Sequence, residues 1–109
     1  MEHYKLKALI HAYHDKWKPL SEGRGKDDGG SDCACCQMTT LFSGSGKVDC
    51  NYCPIKDYTG KSDCNMTPYQ NWDFKDCYIE YLDNDDTNEF KRQAKAEADF
   101  LLRLIMDNL

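Results

Sequence analysis

Apolar residues recur at three- and four-residue steps near both ends of the chain, which predicts a helix at each end. Near the start, Leu6, Leu9, Ile10, Tyr13 and Trp17 share one helical face, and Pro19 is expected to end that helix. Near the finish, Thr87 is expected to cap a helix of about 20 residues. Its apolar face is Phe90, Ala94, Ala98, Leu101, Leu102, Ile105 and Leu109. These two faces are expected to pack on one another.

The pattern dissolves in between. Ser21 to Ser31 contains four glycines and no apolar side chain, and reads as a loop. Met38 to Phe42 favours a short strand, SGSG at Ser43 to Gly46 is a turn signal, and Lys47-Val48 follow, so the segment predicts a β-hairpin. A second turn is expected at Asp57 to Lys61. Thr67-Pro68 looks like a helix start, with Trp72, Phe74, Tyr78, Tyr81 and Leu82 on a helix running to about Leu82 and bent near Asp73.

The chain thus reads as one domain over residues 1–109: an N-terminal helix (1–19), a loop (20–32), a Cys-rich module (33–66) and a helical C-terminal part (67–109). The expected class is a small α+β fold, two or three helices packed with a zinc-ribbon-like β-hairpin.

The hairpin expectation rests on cysteine spacing. Cys33 and Cys36 form one Cys-x-x-Cys pair and Cys50 and Cys53 another, with thirteen residues between them. Two thiolates at this spacing close on one metal ion, and two pairs make a tetrahedral four-sulfur cage, for which zinc is the first expectation and iron the alternative. The gap is slightly shorter than the usual fifteen to twenty residues. Cys64 is a substitute ligand. Cys77 lies among aromatics and reads as a buried small hydrophobe. Seven cysteines cannot all pair within one chain. A four-thiolate site leaves no open position for water or substrate, so it argues for structure and against catalysis.

Charge narrows the partners. The net charge of −5 opposes general nucleic-acid binding. From Asp73 to Glu89 seven acids face one lysine. Of these, Asp73, Asp76, Glu80, Asp83, Asp85 and Asp86 are candidate partner-binding residues able to steer a basic partner or imitate phosphates, against the plainer reading of a solvated face. No run of about 18 apolar residues exists, so no membrane span is expected. The N-terminal stretch MEHYKLKALIHAYHDKW is charged throughout and does not read as a secretory signal, which favours a reducing cytoplasm and metal-bound cysteines.

The string resembles a group of small, uncharacterised Cys-rich bacteriophage proteins. The resemblance is carried by Trp17, the Asp27 to Gly30 loop, Cys33-Ala34-Cys35-Cys36, Cys50-Asn51-Tyr52-Cys53-Pro54-Ile55, Thr59-Gly60, Cys64, Thr67-Pro68-Tyr69 and the terminal Phe100-Leu101-Leu102. It covers most of the chain. Cys35 departs from it, standing where that group tends to have Leu, which suggests a buried apolar substitute. The resemblance implies a phage-type accessory protein acting in the host cytosol, and no activity.

Other sites carry less. His11 and His14 share a face and are able to hold a metal, though Asp15 beside them points to a solvated polar face. Ser43 to Lys47 ends in Gly-Lys, but Val48 stands where a phosphate-binding loop needs Ser or Thr. The leading functional expectation is a zinc-stabilised, non-enzymatic protein that binds a host protein, with host defence as the system modulated. The alternatives are a nucleic-acid-binding zinc ribbon using Lys47, Lys56 and Lys61, and a nucleotide-signal sponge using the aromatics of the middle third and scattered lysines.

Overall fold

The computed structural model describes residues 2–25, 34–36, 38, 53–60, 68–74 and 77–109, with backbone alone at 57–59 and 70. The first helix, α1 (His3–His11), runs without interruption into a π-helical turn (Ala12–Trp17) and then α2 (Lys18–Ser21). Pro19 therefore does not end the helix. In an α-helix its ring would clash with the carbonyl four residues back. The wide turn removes that conflict: Lys18 N–H donates to Tyr13 O, five residues back, and Pro19 falls in the first turn of α2, where its missing N–H is not needed. The chain leaves α2 through Gly23, whose φ of +82° favours glycine and whose absent Cβ would stand 2.7 Å from Lys91 Cε.

The π turn also sets what is buried. Ala8, Leu9, Ala12, Lys16, Trp17 and Leu20 face inward, Leu6 and Tyr13 are half-buried, and Ile10 is exposed. They pack on the last helix, α4 (Asn84–Asp107), which α1, the π turn and α2 all touch. Its buried stripe is Phe90, Ala94, Glu97, Ala98, Leu101, Leu104 and Ile105. Leu102 and Leu109, expected inside, are exposed, because a helix turns about 100° per residue and Leu101 already faces the core.

Asp83, and not Thr87, caps α4. Asp86 N–H donates to Asp83 Oδ1 at 2.7 Å. Asp83→Ala is expected to destabilise the protein by about 1 kcal/mol in urea denaturation, with Thr87→Ala smaller.

The expected β-hairpin is overturned. The described residues are mostly helical and form no strand. Met38, assigned to the first strand, lies in a helical turn with residues 34–36. Cys53, expected at the hairpin's foot, stands immediately before α3 (Pro54–Thr59). Pro54 is set for a first helical turn and cannot donate to a strand ladder, so the local chemistry favours the helix. The turn expected at Asp57 to Lys61 is the end of α3, with Gly60 as a left-handed C-cap at φ 73°. The remainder of the hairpin, residues 39–52, lies outside the described residues, as do Thr67 and Lys61.

The helix expected from Thr67 to Leu82 is replaced by two short 3-10 turns, Pro68–Asn71 and Ile79–Tyr81, with no helix over Trp72, Asp73 and Phe74. Off a helix, residues two apart are not turned onto different faces by the helical step. That course lets Trp72 and Phe74 both reach Phe90, at ring separations of 5.0 and 5.3 Å. Trp17 meets Tyr69 and Trp72 edge-on at 5.4 and 5.3 Å, which joins the first helix to the same cluster. Buried Lys16 lies 5.1 Å from the Trp17 ring.

Two side chains of α4 fasten this segment from below. Tyr69 N–H donates to buried Glu97 Oε2 at 2.8 Å. One helical turn earlier, Asp73 N–H donates to Gln93 Oε1 at 3.0 Å, and Gln93 Nε2 donates back to Asp73 Oδ2 at 3.1 Å. Gln93 is itself held by Glu89, whose carboxyl Arg92, and then Gln93, keep down at about 2 by hydrogen bonding. A depressed carboxylate lends its support above its unfolded pKa, near 4.5, and loses it only as pH falls toward 2.

Candidate interaction surface

The acidic stretch that stood out in the sequence is divided by the fold. Asp73 is engaged with Gln93, and Asp83 caps α4. Asp76 lies outside the described residues. Glu80, Asp85 and Asp86 are exposed, and among the described residues their carboxylates have no hydrogen-bond or ion-pair partner. Asp85 and Asp86 sit in the first turn of α4, where the helix dipole favours them.

Most other described acids are engaged. Asp15 accepts from His11 and His14, Glu22 pairs with Arg24, Glu89 with Arg92, and Asp99 with Lys95. The hydrogen bonds from His14, then His11, hold the Asp15 carboxyl below its ordinary range. Besides the stripe, Glu2 and Asp107 are the described acids whose side chains are left open.

In the sequence, Glu80 lies between the exposed tyrosines Tyr78 and Tyr81, and Asp85 and Asp86 follow in the first turn of α4. Tyr81 is 81% exposed and Tyr78 is 48% exposed, far from the core cluster's burial. Their rings stand perpendicular, 6.1 Å apart. Behind them a shallow cleft of about 450 Å³ is lined by Gly23, Gly25, Tyr78, Ile79 and Glu80. The 3-10 turn Ile79–Tyr81 produces this display by turning Ile79 inward against the core while Tyr78, Glu80 and Tyr81 face out. The sequence flagged the acids and the aromatics separately. Which aromatics remain outside was set by Trp72 and Phe74 filling the space over Phe90.

The candidate metal ligands are less fully placed. Cys53 is buried and Cys36 half-buried, while Cys33, Cys50 and the substitute Cys64 lie outside the described residues. Cys35 is fully buried, and Cys77 is half-buried with its thiol 3.9 Å from Tyr78 O. Among the described residues no group of three His, Cys, Asp or Glu side chains forms a metal-holding set. Burial at Cys53 suits a closed thiolate site, which excludes water. Lys56 is half-buried on α3, and Lys47 and Lys61 lie outside the described residues. Among the described residues no helix is long and apolar enough to cross a membrane. No protein-family model matches the chain, and neither does any curated protein or any solved structure.

Proposed function

We propose that this chain is a non-enzymatic interaction protein that docks a basic partner protein on the Tyr78–Tyr81 surface, with Glu80, Asp85 and Asp86 supplying the charge. The observation that carries the reading is the coincidence of two features: exposed aromatic rings, Tyr81 above all, and carboxylates that have no partner among the described residues. Tyrosine brings large contact area at low entropic cost, and unpaired acids speed the approach of a basic surface. The phage resemblance makes the partner a host protein and the role modulation or inhibition of a host system such as defence.

The test is capture from host lysate with the full chain and with the E80Q/D85N/D86N variant, leaving the capping Asp83 intact. A partner that binds the parent chain should weaken steeply with salt and be lost from the triple variant. Equal capture by both chains removes the surface from the reading.

The same proposal includes a zinc ion held by Cys33, Cys36, Cys50 and Cys53, with Cys64 as substitute, bracing a middle region poor in apolar residues. Bound there, zinc would supply structure and no chemistry. Elemental analysis of the purified protein should find about one zinc per chain, and about half or less in a C36S/C53S variant. Protein free of metal with all thiols reactive would remove zinc.

A further inference from the structure

We infer that the group this surface takes from its partner is an arginine guanidinium on an exposed chain segment. The inference rests on the docking reading of the same surface and adds the chemistry of what is bound. A perpendicular ring pair directs the edge of one tyrosine at the face of the other, so the first ring keeps both faces clear of its neighbour. Tyr81 offers most of that open surface, being 81% exposed. A flat, weakly hydrated guanidinium stacks on such a face and still presents N–H donors at its edge. Glu80 adjoins Tyr81 in sequence, and Asp85 and Asp86 follow within five residues, their carboxylates without a partner among the described residues. An ammonium satisfies the carboxylates but is compact and strongly hydrated, and gains less from the ring.

The surroundings also shape the segment. Lys91 lies against Gly23, which lines the cleft. A run of consecutive basic residues would meet that charge, whereas one arginine flanked by small neutral residues would not. Lysine-rich tails are therefore the poorer fit.

The experiment titrates the full chain with three blocked pentapeptides, Gly-Gly-X-Gly-Gly, in which X is arginine, lysine or citrulline, and follows the tyrosine ring resonances by NMR. Arginine should produce saturable shifts of the Tyr81 and Tyr78 rings, with binding about 2- to 5-fold tighter than lysine, the range expected of an exposed cation–π contact. Citrulline, which keeps the shape and lacks the charge, should give no saturable shift. Y81A should erase the difference between arginine and lysine. E80Q/D85N/D86N should abolish binding of both, with the fold checked by the unchanged spectrum of the Trp17, Trp72 and Phe90 cluster. Equal binding of arginine and lysine, or arginine-induced shifts confined to other residues, overturns the inference. So does binding of citrulline at the arginine level. If the arginine preference fails while lysate capture still depends on the three acids, the docking surface stands and only the guanidinium assignment falls.

Discussion

Phe90→Ala should lower the unfolding free energy by about 3–5 kcal/mol, the largest effect expected of any single substitution in this chain. Phe90 is fully buried, and it is the point where α4 meets both Trp72 and Phe74. Truncation removes the transfer energy of a whole ring and leaves a cavity. Its lining cannot collapse readily, because Trp72 is also wedged against Trp17 on the first helix. Alanine has the better helix propensity, but that gain is only about 0.5 kcal/mol and does not offset the loss. Against a typical total of about 5–15 kcal/mol, the change should move the urea midpoint sharply. Phe90→Leu, which refills most of the volume, should cost less than half as much. Leu102→Ala tests the orientation of α4. It lies on the same helix and carries as much sequence hydrophobicity as its neighbour Leu101, yet it is exposed and should change stability by under about 0.5 kcal/mol. A comparable loss at Leu102 would mean the buried face has been turned.

The helices at the two ends were legible because helical periodicity is a local property, and so was their contact through opposed apolar stripes. What escaped the sequence depends on competition between elements. Pro19 is a stop signal by itself, and it is overridden where a π turn widens the helix ahead of it. Asp83 and Thr87 are both acceptable caps. The choice falls to Asp83, which places acids in the following turn and leaves Thr87 one turn inside. The aromatics from Tyr69 to Tyr81 imitate a helical pattern, but Glu97 and Gln93 capture the N–H groups of Tyr69 and Asp73 and hold the segment out of one. The candidate surface was half legible: the acids showed as a charge run, while which of them are already engaged and which tyrosines stay outside are products of packing. The strand reading failed because turn residues between Cys pairs suit a ribbon in isolation. Pro54 directly after Cys53 was the local signal for a helix there.

Glu97→Ala should destabilise the protein by about 1–3 kcal/mol, the cost of removing a buried charged acceptor from a part-buried backbone donor. A carboxylate on the buried face of a helix is uncommon, and no periodicity argument anticipates it. Here it lies within the stripe of Ala94, Ala98 and Leu101, and it takes the N–H of Tyr69 at the entry of the 3-10 turn. With the acceptor gone, that N–H loses its bond to Glu97, and Gln93, the other α4 side chain fastening the segment, is already engaged with Asp73. The damage should therefore be local before it is global. Amide exchange at Tyr69 and Trp72 should accelerate well before exchange in the middle of α4 does, because the segment lifts from its upper fastening while Gln93 still holds Asp73. Glu97→Gln, which keeps a carbonyl acceptor in nearly the same volume, should recover most of the stability and most of the protection. If Ala and Gln are equally harmful, the charge itself is the essential feature, and the pairing of Glu97 with a backbone donor is not what fastens the segment. If both are harmless, the aromatic contacts of Trp17, Tyr69 and Trp72 hold it down alone, and the Tyr78–Tyr81 surface that follows needs no anchor on α4 to stay in place.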